Sequence, residues 1–251
     1  FIMSYQDLNM QAISRWISKG WEWGIPISHE TYEKALRGDW DVKLTPVKPV
    51  PHEWFGDLRG KRVLGLASGG GQQMPIFAAL GAECTVLDYS QQQLDAEQLV
   101  SEREGYAITI VHADMTKKLP FAANSFDLIF HPVSNCYVLA VMPIWHECAR
   151  ILKPGGRLLA GLDNGLNFAF DEDETKICNT LPFNPLDDEE QMRQLEKVDG
   201  GIQFSHTAHE QLTGQLKAGL QLLDLYEDTN GYGNLHEHNV PTYWATLARK
   251  A

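Results

Sequence analysis

From Arg62 onward the chain alternates short apolar runs with longer stretches of mixed polarity. The runs Arg62–Leu66, Glu83–Leu87, Ile108–His112, Phe126–Phe130 and Arg157–Leu162 have strand length and are apolar enough to be covered on both faces. Between them Gln73–Leu80, Gln91–Glu104 and Met142–Leu152 fit helices, with Gly81, Gly105 and Gly155–Gly156 where stop signals belong. Lys153–Gly156, K-P-G-G, predicts a turn ahead of the fifth strand. Such alternation is the pattern of βαβ units, so the expected fold class is α/β with a doubly wound, largely parallel sheet.

The flanks read differently. Residues 4–56 carry Trp16, Trp21, Trp23, Trp40 and Trp54 and run into Pro46, Pro49 and Pro51, which predicts a helical lead-in followed by an irregular linker. The clustered tryptophans fit either a core or a lid over a small substrate. After the fifth run the alternation is interrupted over 163–205 by an acidic insertion containing Asp171–Glu174 and Asp187–Glu190. Asn184-Pro185, the following acids, Met192 and Leu195 predict a short helix with carboxylates at its positive end. A helix over about 208–219 and the runs Leu220–Tyr226 and Thr242–Ala248 predict a closing helix, strand, strand unit. The expected organisation is one domain over 1–251: lead-in 4–56, core 60–165, insertion 163–205 and C-terminal unit 206–251.

Charge narrows the partners. Acidic side chains number 33 against 21 basic ones, a net charge of −12. That balance repels polyphosphates, and no basic stripe offsets it, so a small-molecule substrate is expected and a nucleic acid is not. No run approaches the roughly 18 apolar residues of a membrane span and no basic-then-apolar leader is visible, so the expectation is a cytoplasmic protein without a membrane partner, monomeric or homodimeric. Phe1 and Ile2 stand ahead of Met3 and are given no weight as native sequence. Cys84, Cys136, Cys148 and Cys178 form no C-x-x-C pair and are expected to be reduced, packed thiols. His206 and His209 lie one helical turn apart, with His236 and His238 later, but no fixed acid or cysteine accompanies them; a solvated helix start is expected and no metal.

The candidate chemistry begins at Val63–Gln73, V-L-G-L-A-S-G-G-G-Q-Q, a strand running into a glycine cluster and then a helix. Residues without side chains there let backbone N–H groups approach a ligand closely. A dinucleotide site would want a third glycine where Met74 stands, which demotes a nicotinamide oxidoreductase. Asp88 closes the second strand, where a carboxylate accepts hydrogen bonds from a ribose diol; Ser90 is the better helix cap. Asp114 is similarly placed after the third strand and suits an adenine amino group, with Met115 against the ring.

The series of glycine loop, Asp88, Asp114, Leu119-Pro120-Phe121 with Ser125-Phe126-Asp127, and Leu152–Gly156 resembles the class I S-adenosylmethionine (SAM)-dependent methyltransferases, most closely their type 11 small-molecule branch. The resemblance spans about residues 60–165. It implies a Rossmann-like seven-stranded sheet with its last strand antiparallel and SAM across the carboxyl ends of strands one to four. Carried onto this sequence, it implies cofactor contacts at Ala67, Ser68, Gly69, Gly70, Gly71, Gln73, Asp88, Tyr89, Ser90, Asp114, Met115 and His131. Two positions depart from the pattern. Gly65 stands where the family carries an acid, and Ala67 where it carries its first loop glycine, which leaves the SAM amino group short of one partner.

The segment His131–Tyr137 after the fourth strand would face the methyl group and lacks the Asn-Pro-Pro-Tyr pattern of many amino methyltransferases. His131 is the candidate general base, with Asn135 or Tyr137 orienting it, and Tyr137 is the second candidate catalytic residue. Direct displacement at a sulfonium needs no covalent enzyme intermediate and draws most of its rate from alignment in a closed site, so a base is not obligatory. The expected function is methyl transfer from SAM to a small molecule. The competing reading is a SAM-binding sensor or scaffold without turnover, suggested by Gly65 and the unfamiliar segment after strand four.

Overall fold

The computed structural model describes residues 3–251; Phe1 and Ile2 lie outside the described residues. Its centre is a seven-stranded sheet in the order β3-β2-β1-β4-β5-β7-β6. The strands are β1 (Arg62–Leu66), β2 (Glu83–Asp88), β3 (Ile108–His112), β4 (Phe126–His131), β5 (Leu152–Asp163), β6 (Leu220–Asp228) and β7 (Tyr243–Lys250). β1 to β5 pair in parallel, and β7 runs antiparallel between β5 and β6. The order reverses between β1 and β4, and open α/β sheets bind ligands outside the carboxyl ends of their strands at such a switch point.

Each central strand feeds both layers, as its continuous apolar run predicts. Val63, Leu128, Phe130 and Leu159 pack with Phe77 and Val86 on one face, while Leu64, Leu66, Ile129 and Leu158 pack with Trp145 and Ile144 on the other. The helices that cover these faces include α3 (Gln73–Ala79), against which α2 (His29–Leu36) packs, α4 (Gln91–Glu104) and α5 (Met142–Ile151). Ser90 caps α4 by accepting from the backbone N–H of Gln93, and Gly105 ends it in the left-handed conformation.

Several boundaries differ from the sequence pattern. β3 is an edge strand and stays partly exposed, because only one neighbour covers it. K-P-G-G lies inside the span of β5, where register slips between Phe126 and Leu128 and the extra residues bulge out. The helix expected at 208–219 begins as a π turn, His209–Thr213, and becomes α-helical only over Gly214–Lys217. Cys84, Cys136 and Cys148 are buried free thiols, but Cys178 is exposed on the insertion rather than packed. Among the described residues no helix is long and apolar enough to cross a membrane.

The two flanks meet over the sheet's carboxyl edge. Helix α1 (Tyr5–Ser18) reaches the end of the insertion through Asn9, which donates to the Ile202 and Tyr137 carbonyls at 2.9 and 3.2 Å and accepts from the Ile202 N–H at 2.6 Å. Trp16 donates to the Asp199 carbonyl at 2.7 Å, and Arg15 pairs with the Asp199 carboxylate at the same distance. In the insertion, α7 (Glu189–Lys197) starts at an Asp188 cap with Glu189 and Glu190 in its first turn, the arrangement its sequence predicts.

Candidate active site

One cavity of about 1050 Å³ opens where these elements converge. Its floor is the β1–α3 loop and the ends of β2, β4 and β5; α1, the tryptophan segment and the insertion roof it. Ala67, Ser68, Gly69, Gln73, Asp88, Tyr89, Ser90, Asp114, Met115 and Tyr137 all line it. Gly70, Gly71 and His131 do not.

Gly70 and Gly71 work behind the cavity wall. The Gly70 N–H donates to the Gln93 carbonyl at 2.9 Å with φ +105°, a conformation closed to most side chains, and a Cβ there would meet the Trp23 carbonyl. The Gly71 N–H donates at 2.8 Å to the carboxylate of Glu97, fully buried on α4. Burial pushes Glu97 up to about 8, against the pull of that N–H. The tryptophan segment is stitched to the loop from above, where Gln72 donates to the Glu22 and Ile25 carbonyls and Gln93 to that of Trp23. Trp21 and Trp23 face the cavity whereas Trp54 is core.

Asp88 stands at the end of β2 in the cavity wall. Its carboxylate accepts from the backbone N–H groups of Gly69 at 3.0 Å and Ser90 at 2.9 Å. Burial raises its pKa, and the two N–H groups pull it back only in part. A carboxylate offers about four acceptor positions, so two remain for a ligand diol. A Cβ on Gly69 would lie 3.0 Å from Asp88 Oδ2, filling the space beside that carboxylate. Asp114 accepts from the Thr116 N–H and hydroxyl, and Met115 is buried beside it. Tyr89 donates to Asp7 of α1 at 2.9 Å, closing the roof at this end. The carboxylates, the glycine approach and the apolar Met115 match the diol, methionine and adenine parts of SAM.

The expectation of a general base at His131 does not fit this geometry. The ring is fully buried, with Nδ1 2.9 Å from the Leu66 carbonyl and Nε2 2.8 Å from the Asn135 side chain, which continues to Gln211 at 3.0 Å. Burial also lowers its pKa. The imidazole ties β4 to β1 and to the C-terminal unit. His206 and His209 diverge, and the expected solvated helix start holds only for the second: His206 is buried against the Asn135 carbonyl, whereas His209 is exposed beside Lys217. Tyr137 does line the cavity, its phenol held neutral by burial.

Two residues here escaped the sequence reading. Glu97 sits on the buried stripe of α4 with Leu94 and Val100, and a charge on an apolar stripe was its signal. Asp163 closes β5 as Asp88 closes β2, and the same end-of-strand logic applies to it. It is buried in the cavity wall and accepts from the Gly165 N–H at 2.6 Å and from the Asn167 side-chain amide.

Comparison with known proteins agrees with this architecture. The methyltransferase domain model matches residues 64–160. The chain is 36% identical over 249 residues to the uncharacterized methyltransferase YbaJ of Bacillus subtilis, covering 96% of this chain and 97% of that one. Among solved structures, the SAM-dependent methyltransferase from Mesorhizobium loti superposes with a TM-score of 0.63 at 18% identity, covering 79% of this chain and 94% of that one. Magnesium protoporphyrin IX methyltransferase from Synechocystis PCC 6803, with S-adenosylhomocysteine (SAH) bound, gives 0.62 at 12% identity over 99% of this chain and all of its own. The chain belongs to the class I SAM-dependent methyltransferases.

Proposed function

We propose that this methyltransferase acts on a small molecule by direct displacement, holding SAM at the Asp88–Asp114 end of the cavity and the acceptor at the β4–β5 end. The observation that carries the reading is the single roofed cavity joining the two ends. Clefts of about 300–1,000 Å³ usually serve one drug-sized ligand, and this one lies at the top of that range, with room for a nucleoside and a second small molecule. The roof from α1 and the insertion suits an acceptor that can be enclosed, not a polymer, and the net charge of −12 disfavours nucleic acid.

When bound, SAM supplies an electrophilic methyl group on a sulfonium. The chain's own part is alignment and exclusion of water. Asp88 and Asp114 hold the nucleoside, Ser68, Gly69 and Gln73 border the amino-acid portion, and the roof dries the space in which acceptor and methyl meet. Three buried, unpaired thiols suit a reducing compartment, and we place the enzyme in the cytoplasm as a monomer or homodimer.

Calorimetric titration with SAM, SAH and NADH tests the site. Saturable one-site binding of the two sulfur nucleosides alone is expected, weakened at least tenfold by Asp88→Ala. Unchanged SAM affinity in a folded Asp88→Ala variant would remove this assignment.

A further inference from the structure

Asp163 stands apart from the nucleoside end. From β2 to β5 the sheet takes three inter-strand steps of about 4.8 Å, so the strands that end in the two carboxylates lie about 14 Å apart across the cavity floor. That spacing puts Asp163 on the acceptor side. It is 6% exposed, lines the cavity, and takes part in none of the ion pairs among the described residues. Its neighbours are neutral: Tyr243 lies directly opposite it in the β5–β7 register, and the Cys136 thiol comes from the segment after β4.

The local hydrogen bonding is one-sided. A carboxylate can only accept, so the Asn167 amide turns its N–H toward Asp163, and Asn167 Oδ1 is left buried in the same wall without a partner. The spot therefore offers a ligand two kinds of acceptor oxygen, on Asp163 and on Asn167. A hydroxyl has one hydrogen to give; an amine has two or three. Tyr243 lies beside it, Tyr137 and Phe168 line the same cavity, and the cavity lining holds six carboxylates against Lys43 and Lys197, of which Lys197 is paired with Glu172. Carboxylate, unpaired amide oxygen and aromatic wall together suit an aryl-alkyl amine.

We propose that Asp163 is the acceptor-binding residue of this enzyme, that it and Asn167 receive the N–H groups of an aryl-alkyl amine, and that Asp163 takes the proton the nitrogen loses before methylation. The inference rests on the methyl-transfer reading above. The nitrogen lone pair forms the new C–N bond as the C–S bond breaks and its electrons return to sulfur. The amine enters as an ammonium ion, its pKa being about 10 like that of Lys, so one N–H proton passes through the Asp163 carboxylate to water to free that lone pair, and the methylated nitrogen then carries the positive charge and stays an ammonium ion paired with the Asp163 carboxylate. Burial has already pushed the Asp163 carboxyl up to about 6, against the pull of Asn167 and Gly165, so it accepts a proton more readily than an exposed aspartate.

The test uses the full chain without SAM, titrated calorimetrically with phenethylamine and 2-phenylethanol. The amine should bind at least tenfold more tightly than the alcohol, and its affinity should fall as pH drops through about 6, where Asp163 protonates. Asp163→Asn should lose at least tenfold for the amine while binding SAM within twofold of wild type. Asn167→Ala is the second variant: losing that N–H donor raises the Asp163 pKa, so the acid midpoint of amine binding should move to higher pH. With methyl-labelled SAM, label should enter the amine, and Asp163→Asn should slow transfer about 100-fold or more. Equal binding of amine and alcohol, no amine binding by wild type, or an unmoved acid midpoint in Asn167→Ala would overturn the proposal. Failure of SAM itself to bind would instead remove the methyl-transfer reading beneath it.

Discussion

Met74 occupies the space that a side chain on Gly65 would need: a Cβ built on Gly65 would lie 2.5 Å from Met74 Sδ and 3.1 Å from Ser68 Cβ. Gly65 stands where the resembling methyltransferases carry an acid, so the departure is built into the packing and is not an isolated substitution. Restoring the acid alone, Gly65→Asp, is expected to force Met74 off its rotamer and destabilise the fold by about 1–3 kcal/mol, without tightening SAM binding. Pairing it with Met74→Ala should recover part of that loss. Thermal denaturation and SAM titration of both variants check this, and tighter SAM binding by Gly65→Asp alone would contradict it.

Ala67, the other departure, takes φ +49° in the loop where the family pattern has glycine. A non-glycine residue in the left-handed region costs on the order of 1 kcal/mol or more. Ala67→Gly should relieve that strain, offset in part by a freer unfolded chain, for a net gain of up to about 1 kcal/mol. The Tm of the variant measures it; a lower Tm would show that the methyl group's contacts outweigh the strain.

Glu97 makes stability depend on pH. Its folded pKa, about 8, lies above the ordinary 4.5, so its contribution is full below about pH 4.5 and is lost as pH rises through about 8. Each tenfold change in proton affinity is worth about 1.4 kcal/mol. Glu97→Gln keeps an acceptor for the Gly71 N–H and removes the titration. Its Tm advantage over wild type should therefore widen between pH 5 and pH 8; a constant difference over that range would count against the assignment.

Asn9, only 4% exposed, joins α1 to the insertion through two hydrogen bonds with Ile202 and to the segment after β4 through a third with Tyr137. Asn9→Ala leaves the Ile202 N–H and carbonyl without their partner, a loss of about 1–3 kcal/mol. Hydrogen exchange should quicken at residues 5–18 and 199–205 and stay unchanged in β1 and β4. Uniform acceleration across the sheet would mean that α1 supports the whole fold and not its roof alone.

Much of this protein was legible without coordinates because it rests on local chemistry. Continuous apolar runs can be satisfied only by strands buried on both faces, so β1, β2 and β4 sit within a residue of their expected limits. Ser90 and Gly105 announce the ends of α4 by capping alone, and Asp88 and Asp114 are marked by their place at strand ends. What one residue does at its own position, the sequence carries.

Only the tertiary structure decided where side chains far apart in the chain come together. His131 looked like a base because it stands at the end of the fourth apolar run, yet a strand-end side chain can turn into the core, where Leu66 and Asn135 hold this one. Asp163 looked like the border of an insertion, and became a cavity wall because α6 (Leu166–Ala169) turns back to bring Asn167 onto it. Local sequence specifies each element's period and ends. The contacts across 65 residues from His131 to Leu66, or 193 from Asn9 to Ile202, arise only when the elements pack, because no local preference encodes which distant group will meet a buried polar atom.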